Sequence, residues 1–122
     1  MPWEVHYLAE QEFILVKNIG HLTFQDFSDE VYAIAQLSNE HQVFNILVDD
    51  TKMSSDVSTA DIFSFPKLYE EAGLSKHCKI GVVMSNNGSG LDDFNFFENV
   101  SVNRGYNTQT FCTMADAIAW LT

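Results

Sequence analysis

A chain of 122 residues with 46% hydrophobic content and ten phenylalanines has material for one core and too little length for two. Six basic residues against seventeen acidic ones give a formal charge of −11, a surface that repels phosphate backbones and anionic membranes, so no nucleic-acid binding is expected. The apolar runs fall far short of the ~20 residues that span a bilayer, and the amino-terminal stretch MPWEVHYLAEQE lacks the basic and apolar regions of a signal peptide; the expected setting is the cytoplasm, without integral membrane association.

Trp3–Leu8 alternates Trp3, Val5 and Tyr7 against Glu4, His6 and Leu8, the period of a strand. Ala9 and Glu10 read as a turn and Glu12–Asn18 as a second strand, so the two are expected to form an antiparallel hairpin. Gly20 is expected to break the second strand. Thr23, with Asp26 three residues on, opens a helix predicted from Phe24 to about Asn39, whose Phe24, Phe27, Val31 and Ile34 fall at helical spacing.

The run Val43–Asp49 is apolar on both faces except at Asn45, as a central strand covered on both sides should be. Asp50 follows directly, and Thr51–Asp61 reads as a Ser-rich loop leading into a helix capped near Ser58. On that helix Ile62, Phe65, Leu68, Tyr69 and Ala72 share one side and Phe63 lies well away from them. Pro66 is expected to kink or divide it, and Gly73 to cap it.

Cys78–Ser85 is predicted as a strand, Asn86–Gly90 (NNGSG) as a loop, Leu91–Arg104 as a helix and Asn107–Cys112 as the last strand. Thr113 caps a final helix whose Ala117, Ile118 and Leu121 should face inward. Cys78 and Cys112, inside predicted strands, read as buried reduced thiols. Strands separated by helices require parallel, right-handed crossovers. The expectation is therefore an α/β fold, a single domain over 1–122, with a five-stranded mixed sheet in the element order ββαβαβαβα.

That order resembles the STAS-like, or SpoIIAA-like, domains, relatives of bacterial anti-sigma-factor antagonists grouped with the Sec14-type lipid-binding fold. In the carboxyl half the chain is similar to an uncharacterised bacterial STAS-like family. The residues concerned are KIGVVMS, Gly90-Leu91, Phe97-Glu98, Asn103-Arg104-Gly105-Tyr106 and the ending Thr110-Phe111 with Ala115-Asp116-Ala117-Ile118-Ala119-Trp120-Leu121. The resemblance implies a regulatory or protein-interaction module. Antagonists of this type carry a phosphorylatable serine where the helix after the central strand begins, in a D-S-[SA]-G-like setting. The corresponding stretch here, Ser54-Ser55-Asp56-Val57-Ser58-Thr59-Ala60-Asp61, offers Ser54, Ser55 and Ser58 without that motif. A phosphate at a helix amino terminus gains from the free amides and the dipole, and here loses to Asp56 and Asp61.

Other constellations are sparse. Asp49 and Asp50 at a strand end form a pair able to hold Mg²⁺, against the plainer reading of solvated strand-end acids. A phosphoacceptor receiver domain would want a lysine on the last strand, and Asn107–Cys112 has none. The four histidines have no metal-ligand spacing, no Cys-x-x-Cys and no Gly-x-Ser-x-Gly elbow occur, and no cofactor or enzyme activity is expected. The aromatic surplus is the stronger signal. Leu91, Phe94, Phe96, Phe97 and Val100 would cover roughly 220° of a helix, where a stripe of ~100° or a little more suffices for packing on a sheet. Phe63, Phe65, Phe94, Phe96 and Phe97 are accordingly the candidates for a partner surface, including a homodimer, or for the lining of a pocket for a small apolar ligand. An extra-deep core is the structural alternative. Rings on a flat patch favour the interaction module; rings around a closed cavity favour a carrier or sensor.

Overall fold

The computed structural model describes residues 2–55, 58–84, 98, 99, 102 and 104–122. These form β1 (Trp3–Leu8), β2 (Phe13–Leu22), α1 (Phe24–His41), β3 (Asn45–Ser55), α2 (Thr59–Ala72), β4 (Lys79–Met84), β5 (Asn107–Phe111) and α3 (Met114–Leu121). The strands make one five-stranded sheet in the order β1-β2-β3-β4-β5. β1 runs antiparallel to β2 and the other pairs are parallel. The expected mixed α/β sheet, with Val43–Asp49 feeding an interior strand and Trp3–Leu8 at an edge, is therefore present. The loop expected at 86–90 and most of the helix expected over 91–104, including Phe94, Phe96 and Phe97, lie outside the described residues.

Side chains alternate between two faces of the sheet. Ile14 and Val16, Ile46 and Val48, and Ile80 and Val82 meet Val31, Ile34 and Ala35 of α1 and Tyr69 of α2 in the larger core. On the opposite face Phe13, Leu47 and Val83 pack on Ala117 and Leu121 of α3. Gly81 lies beneath that helix, where an added Cβ would meet the Phe111 and Trp120 rings at 3.6 Å. Lys79 closes the same seam, donating from Nζ to the Trp120 carbonyl at 2.6 Å with its charge 4.5 Å from the indole centroid. Ile118, expected inward, is 37% exposed, because α3 buries only a narrow stripe.

Three boundaries differ from expectation for identifiable reasons. Gly20 does not end β2. It takes φ 84°, a left-handed conformation suited to glycine, and the strand continues to Leu22. The polar stretch after Asp50 is strand rather than loop through Ser55, because β2 continues alongside it: Gly20 pairs with Met53 and Leu22 with Ser55. Pro66 leaves α2 as one helix. Its ring is fully buried between Phe65 and Tyr69 positions that face the core, which offsets the hydrogen bond that proline cannot donate. Cys78 lies just before β4, buried as expected. Cys112 lies just after β5 and is exposed, since the chain has left the sheet there.

Candidate functional site

The carboxyl end of β3 is shaped by a one-residue irregularity in its pairing with β2. Lys17 pairs with Asp49 and Ile19 with Lys52, so Asn18 faces Asp50 and Thr51 together. Neighbouring residues of a strand point to opposite faces. Asp50 consequently turns under α1 and α2, whereas Asp49 turns the other way and accepts from the Thr51 amide at 3.0 Å and the Thr51 hydroxyl at 2.6 Å. The two acids do not converge on one ion. Nor is Asp50 a solvated strand-end residue: it is 8% exposed, because α1 and α2 close over it. Among the described residues no group of three or more histidine, cysteine, aspartate or glutamate side chains is placed to hold a metal.

Asp50 shares its buried position with Asn18 of β2 and Glu30 of α1. The Asn18 Nδ2 donates to Asp50 Oδ1 at 2.6 Å, while Asn18 Oδ1 and Glu30 Oε2 have no protein partner. Burial pushes the Asp50 carboxyl up to about 7, the Asn18 hydrogen bond pulling against it and the Asp49 charge adding to it. Glu30 is held well above the usual carboxylate range, first by burial, then by Asp50 and Asp26, with Asn18 again opposing. Tyr69 of α2 feels both carboxyls, and burial raises its phenol further. Burial thus favours the protonated form of both carboxyls. Glu30 and Asn18 were not anticipated. Glu30 occupies a buried position beside Val31, and the only signal in the sequence was an acid standing next to the apolar stripe of α1.

The serines separate. Ser54 is exposed on β3, beside His21 of β2. The side chain of Ser55 lies outside the described residues. Ser58 caps α2: its Oγ accepts from the Asp61 amide at 3.1 Å, and Asp61 Oδ2 accepts from the Ser58 amide at 3.1 Å. Of the five candidate phenylalanines two lie among the described residues, and Phe63 is 55% exposed on α2. Phe65 is buried against Phe24 and Phe27 of α1, with ring centroids 5.8 and 5.3 Å away. Phe65 belongs to the packing between α1 and α2, whereas Phe63 stands at the surface. Among the described residues a cleft of about 430 Å³ lies elsewhere, between β1 and α1, lined by Trp3, Val5, Ala33 and Leu37 among others. No described helix is long and apolar enough to cross a membrane.

No family model matches the chain, and no curated protein does. Solved structures do. An uncharacterised protein of the DUF3478 family from Shewanella loihica PV-4, described as having a SpoIIAA-like fold, superposes with a TM-score of 0.63 at 19% identity, over 98% of this chain and 93% of that one. The anti-sigma factor antagonist SpoIIAA in its unphosphorylated form gives 0.53 at 12% identity over 97% and 96%. The Bacillus cell fate determinant SpoIIAA in its phosphorylated form gives 0.52 at 10% identity over 98% and 99%. The fold of the chain is SpoIIAA-like, as its element order implied.

Proposed function

We propose that the chain is a non-enzymatic, STAS-like regulatory module that works in the cytoplasm by protein contact, through the amino-terminal half of α2. The observation that carries this reading is Phe63, a large ring 55% exposed one turn beyond an exposed serine cap. Its support from the fold is that one similar structure is an anti-sigma factor antagonist and another is a SpoIIAA in phosphorylated form. A formal charge of −11 favours a partner with a basic face. Ser58 is the residue at which a phosphate would act. The added charge would oppose Asp61 and break the reciprocal cap that starts the helix, displacing the turn that carries Phe63. The acids at the centre of the fold support the same reading: Asp50 and Glu30 are buried beneath α1 and α2 rather than displayed to an external substrate. The carrier reading is weaker, because Phe63 faces solvent while Phe65 is spent on helix packing.

The test is affinity capture from extracts of the source organism with the wild-type chain and with Phe63→Ser. A protein retained in stoichiometric amount by the first and lost by the second supports the reading. Equal capture by both, or native mass spectrometry showing a co-purified small molecule instead, would refute it.

A further inference from the structure

The amino-terminal edge of the sheet is open and chemically self-complementary. β1 has one strand neighbour among the described residues, β2, with Trp3 opposite Asn18 and Val5 opposite Val16. The Pro2 carbonyl accepts from the Ile19 amide at 2.8 Å, and the Leu8 carbonyl accepts from the Glu12 amide at 2.9 Å, so the backbone of even-numbered residues points toward β2. Backbone direction alternates along a strand. The amides and carbonyls of Trp3, Val5 and Tyr7 therefore point outward, away from the sheet. β1 contains no proline, no lysine and no bulge to block this edge.

We propose that β1 pairs antiparallel with β1 of a second copy about a twofold axis at Val5, joining two sheets into one of ten strands. The sequence around Val5 selects this occupant and register. Val5 meets its own symmetry mate, Trp3 meets the partner's Tyr7, and Glu4 meets the partner's His6. The three outward-facing residues would exchange six backbone hydrogen bonds, two at each of three opposed pairs. Glu4 and His6 fall at the intervening pairs, where side chains approach most closely and an acid can accept from a facing imidazole, while the Trp3–Tyr7 pairs add aromatic contact.

Within one chain Glu4 Oε2 already lies 3.5 Å from His6 Nε2, both side chains about half exposed, so two copies would close an alternating ring of two acids and two imidazoles. On the face toward α1, Trp3 and Val5 line the cleft bounded by Ala33 and Leu37. The partner's Tyr7, backed by stacking on the partner's His41 as Tyr7 is in this chain at 3.9 Å, would enter its Trp3 end. A one-residue shift of register would set Trp3 against the partner's His6, Glu4 against the partner's Val5, and lose both kinds of pair.

Sedimentation velocity of the full chain over a concentration series tests this. Wild type should sediment as a dimer. Val5→Pro removes an amide that points to solvent in the monomer and is needed at the centre of the pairing, so it should weaken association at least about tenfold with circular dichroism unchanged. Should Val5→Pro unfold the chain, the charge variants decide. Glu4→Lys and His6→Glu should each weaken the dimer, and the two together should restore it, because the swapped charges again alternate. Phe63→Ser should leave the dimer intact, which separates this surface from the one proposed on α2. A wild-type monomer at every concentration, or a dimer indifferent to Val5→Pro and to both charge changes, would overturn the proposal.

Discussion

Asp50 shows how much one side chain can set the pH response of a small domain. Its folded carboxyl titrates at about 7 against an ordinary value of 3.8. Below the ordinary value it is protonated whether the chain is folded or not, and it costs nothing. Between the two values the unfolded chain gives up the proton and the folded chain keeps it, so stability falls as pH rises; above about 7 the whole cost, on the order of 4 kcal/mol, is present. Asp50→Asn keeps an acceptor for Asn18 and removes the charge. It is expected to raise the melting temperature by several degrees at pH 8 and to change it little near pH 4, as thermal melts by circular dichroism will show. The two thiols make a second prediction. Cys78 is buried, and burial raises its thiol despite the Ser38 hydroxyl 3.8 Å away. Cys112 is exposed. A disulfide reagent should therefore label Cys112 in the native protein and reach Cys78 only after unfolding, read by peptide mass spectrometry.

At the scale of the element, α2 combines two roles that substitution can separate. Ser58→Ala removes the hydroxyl oxygen that accepts from the Asp61 amide, and is expected to cost ~1 kcal/mol in urea unfolding. Phe63→Ser changes an exposed ring and should cost well under ~1 kcal/mol, whereas Phe65→Ala empties a core site between α1 and α2 and should cost ~3 kcal/mol or more. The capping pairs Thr23 with Asp26 and Ser58 with Asp61, and the αL glycine at position 73, were legible in the sequence because they are local: hydrogen bonds between residues a few positions apart decide them. The continuation of β3 past Asp50 was not. Its residues look like loop, and only the distant extension of β2 through Gly20 gives them a ladder. The register irregularity that turns Asp50 inward depends on the same pairing. Asp49 and Asp50 therefore looked alike in sequence and have opposite surroundings in the structure.

For the whole molecule, the interior place of β3 followed from periodicity, since a run apolar on both faces needs two neighbours and two covering layers. The partition of the phenylalanines did not follow. Helical spacing correctly put Phe63 away from the core stripe, but it does not say that Phe65 meets Phe24 and Phe27 rather than a cavity. Ser38 is another contact of this kind. Its hydroxyl donates to the Val43 carbonyl at 2.6 Å, tying the end of α1 to the entry of β3. Nothing in the helical pattern separates a serine with that duty from one in solvent. Ser38→Ala leaves that carbonyl without its partner in a dry site and should destabilise by ~1–3 kcal/mol, measured by urea unfolding.

The sheet order has a consequence for how the chain reaches its fold. Each of the five described strands after the first lies beside the one that precedes it, so each can dock on its predecessor as it leaves the ribosome. The face carrying Phe13, Leu47 and Val83 has the opposite history. Ala117 and Leu121, which cover it, belong to α3, made after all five strands. A nascent chain therefore carries the five strands while Phe13, Leu47 and Val83 still lack their α3 partners, and stalling before residue 113 should leave it bound to a chaperone rather than free.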